Sequence, residues 1–317
     1  MTTALITGGA GYLGTHLAKA LKQAGYTTIC IDKKITDCEY YDIRYKCNVK
    51  KMPRLKYLFS VMPQIDVVFH LAGRIEVGES WKEPEEFWQT NFHGTLNILE
   101  MMKEHEIKNI VYSSTAAVYQ SSKDLLSESH PIELNNPYAK TKYAAETAIQ
   151  ESGLNAVIFR YFNLAGADPD CEMGENHEPE THLIPLFFKN LNNFTINGND
   201  YDTRDGTCVR DYVHVSDVAD AHVLAAKYLD TNNGVRILNL GNGIGHSILD
   251  IIRNAIITLE LTCGYTFVER RKGDPDSLVA NVSLAKEVLN YNPKHDIGSI
   301  LKTAYAWNNK HNEEKTT

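Results

Sequence analysis

Along the first half of the chain, short continuous apolar runs alternate with stretches whose apolar residues return every three or four positions. The runs are ALIT (4–7), TTICID (27–32), DVVFH (66–70), NIVYSS (109–114) and NAVIFRYF (155–162). They are rich in β-branched residues and flanked by turn residues. They also lack the every-second-residue alternation of a half-exposed strand, as parallel strands covered on both faces should. Helical periodicity lies between them, near 12–24, 53–62, 84–105 and 137–152. Regular strand–helix alternation predicts an α/β fold, a doubly wound Rossmann-type parallel sheet.

The second half is less regular. Helical patterns at 181–192, 216–229, 247–259 and 296–311 are separated by the strand-like YVHV (212–215), RILNLG (236–241) and TFVERR (266–271). This predicts a Rossmann domain over 1–165 and a smaller α+β lobe over 166–317, some of whose segments return to the main sheet. The polar tail NNKHNEEKTT (308–317) reads as frayed.

Length and composition narrow the class. A chain of 317 residues buries a large core in one large domain or two unequal ones. The net charge of −8 with no long run of one sign argues against a nucleic-acid or anionic-membrane partner. No apolar stretch approaches the ~20 residues of a membrane span. The start MTTALITGGAG lacks the basic-then-apolar pattern of a signal peptide. Cys30, Cys38, Cys47, Cys171, Cys208 and Cys263 form no CxxC and no paired spacing. Reduced thiols in a cytoplasmic protein are the expectation.

Specific chemistry begins at the first strand–helix junction. ITGGAGYLG puts Gly8, Gly9, Gly11 and Gly14 where a glycine turn lets the backbone approach a pyrophosphate at a helix N-terminus. The second strand ends at Asp32, whose carboxylate suits both hydroxyls of an adenosine ribose and repels a 2′-phosphate, favouring NAD over NADP. Further on, NNPYAKTK places Tyr138 and Lys142 one helical turn apart. Alone, that pair is a common surface feature.

Taken in order, the glycine turn, SSTAAVYQ (113–120) and YAKTK (138–142) resemble the extended short-chain dehydrogenase/reductase family, most closely its UDP-glucose 4-epimerase branch. The likeness runs from residue 4 to about 310 and includes FHLAGRIEVGES (69–80), RYFNLAGA (160–167), HLIP (182–185) and ERRKGDPD (269–276). Its most specific block is GNDYDTRDGTCVRDYVHVSDVADAH (198–222).

The resemblance implies bound NAD and a UDP-sugar substrate, UDP-glucose or UDP-galactose, epimerised at carbon 4. It makes Tyr138 the catalytic base, Thr115 its partner in the place of the more usual Ser, and Lys142 a ligand of the nicotinamide ribose. Cofactor contacts map to Gly8, Gly11, Tyr12, Leu13, Gly14, Asp32, Asn48, Leu71, Ala72, Gly73, Asn91, Ser113 and Phe162, with Tyr138 and Lys142. Substrate contacts map to Thr115, Tyr138, Asn163, His182, Leu183, Arg210, Tyr212, Arg271, Asp274 and Leu278. Departures are Asn48 for an Asp at the adenine, Ile75 for a Lys, and His182 for an Asn. Leu278 stands where a bulky Tyr closes the sugar pocket of some members, so N-acetylated sugars are expected to be tolerated. A homodimer through helices 84–105 and 137–152 is also implied. The first of these carries Trp88, Phe92, Leu96 and Leu99 on one side and Phe87, Ile98 and Met101 on another.

The chemistry explains the residue types. A carbon bearing only H and OH has no acidic C–H, so inversion needs oxidation to a flat ketone and reduction from the other face. The base must titrate near neutrality, well below the ~10 of a free phenol. Lys142, one turn away, and the positive nicotinamide are expected to lower Tyr138 to that range. Arg210 and Arg271 suit a diphosphate through bidentate pairing.

The alternatives are weaker. A 4,6-dehydratase places acids after the Ser or Thr, where this chain has Ala116 and Ala117. An epimerase of UDP-N-acetylhexosamine or UDP-glucuronate stays open, as does a non-catalytic NAD-binding regulator. HEPETH (177–182) is not HExxH, and Pro179 breaks the helix a zinc site would need, so no metal is expected. DPDCEMGE (168–175) reads as a solvated acidic loop.

Overall fold

The computed structural model describes residues 2–271 and 274–316, with side chains from Thr2 through His311. Six strands of the first half are β1 (Thr3–Thr7), β2 (Thr27–Asp32), β3 (Ile43–Lys46), β4 (Val67–His70), β5 (Asn109–Thr115) and β6 (Asn155–Tyr161). With Val235–Leu240 they form one seven-stranded sheet in the order Val235–Leu240, β6, β5, β4, β1, β2, β3. Every pairing in it is parallel. The order reverses between β1 and β4, and the crevice beyond the carboxyl ends of such neighbours is where doubly wound sheets bind ligands.

The continuous apolar runs follow from this geometry. Leu5, Val68, Ile110 and Ile158 face one core together with Leu55, Ile98 and Met101. Their sequence neighbours Ile6, Phe69, Val111 and Phe159 face the other with Leu17 and Val218. Both sheet faces are covered, so both sets of alternate residues are apolar.

Several elements differ from the sequence expectation. β3 carries its apolar residues only at Ile43 and Tyr45, with Arg44 and Lys46 exposed, the charged pattern of an edge strand. It is too short and too polar to read as a buried strand. The 84–105 helix is three segments: Pro84–Phe87, a wider π turn at Trp88–His93, and Gly94–Glu104. The polar tail continues the last helix, which runs Ile297–Thr316 and packs through Ile300, Leu301 and Tyr305 against Ile248–Leu259 and Leu183–Lys189.

Val235–Leu240, overlapping the strand-like RILNLG region, joins the main sheet alongside β6. The remaining strands are short. Val209–His214 pairs with Asn163–Ala165, Gly245–Ser247 and Ser277–Leu278. Phe194–Asn197 pairs with Tyr265–Val268. Behind them Phe187, Phe188, Ile196, Ile251, Ile300 and Leu301 form a third apolar core. Among the described residues no helix is long and apolar enough to cross a membrane.

Candidate active site

Gly8 adopts φ +72°, and a Cβ there would meet the backbone nitrogen of Ala72 at 2.7 Å. A Cβ on Gly14 would lie 2.6 Å from the Gly8 carbonyl oxygen. Glycine is therefore required at both, once for conformation and once for the approach of helix to turn. Gly11 caps the helix Tyr12–Gln23, whose Leu13 is buried. Beneath the turn the buried Tyr41 hydroxyl, within reach of the Gly9 and Gly14 carbonyls at 2.9 and 2.8 Å, donates to them. At the end of β2, Asp32 accepts from the backbone N–H of Ala10 and Lys34 at 3.1 and 2.9 Å. Asn48 follows β3 on the same side of the sheet, its side-chain oxygen accepting from Lys50 N–H.

Leu71, Ala72 and Gly73 leave β4 as a loop. Asn91 holds that loop: its Oδ1 accepts from Arg74 N–H at 2.7 Å, and its Nδ2 donates to the Arg74 carbonyl and Thr141 Oγ1, both at 3.1 Å. The Asn91 amide is thus committed to the protein and fixes the backbone at Arg74.

The helix Pro137–Glu151 starts on Asn136, whose side chain accepts from Ala139 N–H, with Pro137 at the first helical position. That start aims Tyr138 at the end of β5, beside Thr115. One turn on, the Lys142 ammonium lies 4.6 Å from the centroid of the Tyr112 ring. A Cβ on Gly73 would be 3.7 Å from that ammonium. Lys142 therefore points into the crevice between β4 and β5.

The electrostatics differ from the sequence expectation. Burial pushes the Tyr138 phenol up to about 12, the neighbouring Thr115 hydroxyl opposes the rise, and Glu76 adds to it. Burial also pulls Lys142 down to about 7, and the Glu146 carboxylate opposes that. In the protein alone desolvation dominates both shifts. Glu146, four residues after Lys142, is fully buried and grips Arg160 through Nε at 3.0 Å and Nη2 at 2.6 Å. It also accepts from Ser114. Burial works against the Arg160 charge, yet the hydrogen bonds to Glu146 raise its pKa overall. Sequence reading missed this pair, although the i, i+4 spacing of Lys142 and Glu146 was visible.

Ser113 lies beside Tyr161, whose hydroxyl meets His222 Nε2 at 2.6 Å, and Phe162 is buried just after β6. Of the expected substrate residues, Arg210 and Asp274 form an ion pair, with Arg210 mostly buried. Tyr212 lies on the same strand, in register with Asn163. Leu278 pairs in register with Arg210. Arg271 is exposed, next to residues 272–273, which lie outside the described region. His182 precedes the helix that begins at Leu183, and its Nδ1 meets Glu175.

The acidic loop is clamped, with Asp168 buried while Asp170 and Glu172 stay exposed to solvent as expected. The Lys19 ammonium reaches Asp168, Asp170 and Glu172 at 2.9, 3.1 and 2.9 Å. The Tyr12 hydroxyl donates to the Gly166 carbonyl at 2.6 Å. From the other side Trp307 Nε1 donates to the Glu175 carbonyl at 3.0 Å.

A model of the NAD-dependent epimerase/dehydratase family matches residues 4–241. The chain belongs to that family. Over 98% of both chains it is 39% identical to the UDP-glucose 4-epimerase of Lacticaseibacillus casei. Among solved structures it superposes with a TM-score of 0.91 on the UDP-glucose 4-epimerase of Bifidobacterium longum in complex with NAD+ and UDP. That match has 32% identity and covers 98% of this chain and 99% of the other. It superposes with a TM-score of 0.92 on the Stenotrophomonas maltophila enzyme with bound NAD and formylated UDP-arabinopyranose. There the identity is 30% over 99% of this chain and all of the other. The residues here fit the cofactor of the epimerase/dehydratase family. The glycine turn leaves no room for a side chain between backbone and crevice, the helix N-terminus faces it, and Asp32 sits beyond.

Proposed function

We propose that this chain interconverts UDP-glucose and UDP-galactose by inverting carbon 4. Supporting the reading is Tyr138 set beside Thr115 and one helical turn from Lys142, at the carboxyl end of β5, in a chain whose full-length relatives bear that name. Held along the glycine turn and Asp32, NAD supplies a reversible hydride acceptor, so the carbinol passes through a 4-ketone and back.

The chain's own residues do the rest. Tyr138 accepts the proton of the 4-hydroxyl and returns it, and Thr115 keeps phenol and hydroxyl aligned. Buried and protonated on its own, Tyr138 is readied by positive charge. The ammonium form of Lys142 favours the phenolate when the site fills. Arg210 and Arg271 grip the diphosphate, with Asp274 orienting Arg210, while Asn163, Tyr212, His182 and Leu183 line the nucleotide-sugar cleft. An anchor on the diphosphate alone leaves the flat ketone free to turn over. Ala116 and Ala117 offer no acid for a dehydration.

Residues 1–165 serve the dinucleotide and 166–317 chiefly the nucleotide sugar. The protein works in the cytoplasm, in galactose metabolism, as a homodimer. Supporting the dimer, Phe87, Ile98 and Met101 are fully buried, whereas Leu96 is 36% exposed on the outer side with Trp88, Phe92 and Leu99 only partly covered. A monomeric mass at micromolar concentration would count against that assembly.

Incubation with UDP-galactose should yield UDP-glucose. The Tyr138→Phe variant should keep its dinucleotide and lose activity by about 10²–10⁴-fold, the usual worth of a positioned acid–base group. Wild-type turnover in that variant would sink the mechanism.

A further inference from the structure

Away from the reacting centre, the loop leading into the helix Leu183–Lys189 gathers two carboxylates and two imidazoles. The ligating atoms of Glu175, His177, Glu180 and His182 all lie within 4.8 Å of one another. The Glu175 side chain is 5% exposed, and its Oε1 faces Nδ1 of both rings, 3.1 Å from His177 and closer to His182. The rings stand perpendicular with centroids 5.3 Å apart, so both nitrogens turn toward one carboxylate.

Two atoms of the cluster are left over. Glu180 Oε1 accepts from the backbone N–H groups of Thr181 and His182, both at 2.9 Å. Its Oε2 is shut from solvent without a hydrogen-bond partner, and so is His177 Nδ1, which lies off hydrogen-bond geometry despite its nearness to Glu175. Burying such a group unpaired costs about 1–3 kcal/mol. A cation between them satisfies both at once.

We propose that Glu175, His177, Glu180 and His182 bind a divalent transition-metal ion, with zinc the best match. Two imidazoles with two carboxylates are a zinc-type ligand set, whereas calcium and magnesium seek six or more oxygens. Tetrahedral zinc holds its ligand atoms ~3.4 Å apart, so the cluster closes by roughly 1.4 Å at its widest. The sequence argument against a metal assumed a helix, and the structure presents these four residues from an irregular loop instead. That loop is already anchored to both terminal helices through Lys19, Tyr12 and Trp307. A metal on His182 Nδ1 also leaves the proton on Nε2, making the ring a fixed donor. This last consequence rests on the substrate role proposed for His182, and the metal site does not.

The test uses full-length protein treated with a chelator and dialysed, then given Zn²⁺ or Co²⁺. Bound metal is counted by elemental analysis, ligand type is read from cobalt visible absorption, and stability from a thermal melt. His177→Ala and Glu180→Gln, neither in the substrate cleft, are measured separately, so that a fold defect in one does not decide the result. The expected outcome is one zinc per chain, a rise in melting temperature on adding zinc, and a tetrahedral cobalt spectrum without the intense thiolate bands of cysteine ligation. Each variant should bind more weakly by at least the ~10–100-fold that losing an outer partner costs. Substoichiometric binding, thiolate bands, or wild-type affinity in a folded variant would overturn the proposal.

Discussion

Glu146→Gln tests whether the Arg160 pair holds the catalytic helix against the sheet. Glu146 lies on the helix of Tyr138 and Lys142, whereas Arg160 lies on β6, and their side chains are 0% and 4% exposed. Glutamine keeps the volume and one acceptor but removes the charge, leaving the Arg160 guanidinium buried over the Tyr119 ring without a counter-ion. Breaking a buried pair on one side costs about 3–5 kcal/mol. Unfolding entropy near ~2.1 cal/mol/K per residue over this chain converts that to a drop in melting temperature of about 5–7 °C. Differential scanning calorimetry reads it directly. The double variant Glu146→Leu with Arg160→Met should recover much of the loss, because it removes both charges together. A single variant melting within about 1 °C of wild type would refute the reasoning.

Between about pH 7 and 9, below the range where the buried thiols and phenols begin to oppose it, stability of the dinucleotide-free protein should rise with pH. Lys142 is depressed to about 7 when folded, so across that window the unfolded chain binds a proton the folded one has shed. Urea unfolding at several pH values should lose that slope in Lys142→Met, and a slope that persists would show another group to be its source. Gly14→Ala forces a Cβ to 2.6 Å from the Gly8 oxygen and 2.7 Å from Gly9 Cα, backbone atoms that cannot swing aside. Dinucleotide released on denaturation should fall sharply, and full cofactor content would mean the turn is softer than its geometry implies. Leu278→Tyr should reduce kcat/KM for UDP-N-acetylglucosamine relative to UDP-glucose, within the ~1–3 kcal/mol a small volume change commands. An unchanged ratio would remove Leu278 from the pocket wall.

The sheet was largely legible because a strand buried on both faces must be apolar without interruption, and five of its seven strands are so. β3 escaped because an edge strand has one covered face, leaving only Ile43 and Tyr45 as signal. The glycine turn was legible because its sterics admit one residue type. Glu146 and Arg160 were not, since the two residues meet only when helix and sheet pack. The direction of the Tyr138 and Lys142 shifts was likewise invisible: spacing told of a cation near a phenol, and burial, which spacing does not encode, decided the sign. His177 and Glu180 were set aside on helical periodicity, a rule that has no hold on a loop.

The clamp on residues 166–175 has a consequence in time. The loop is tied at one side to Lys19 in the first helix and at the other to Trp307 and Lys310 in the last. A chain made from its N-terminus at ~5–20 residues/s takes about 15–60 s to travel from Lys19 to Lys310. Through that interval the glycine turn exists, but the loop above it lacks its second anchor. The nascent protein can therefore fold its sheet early and still assemble its cleft only as synthesis ends, so an unfinished chain holds a dinucleotide fold without a closed site in which to use it.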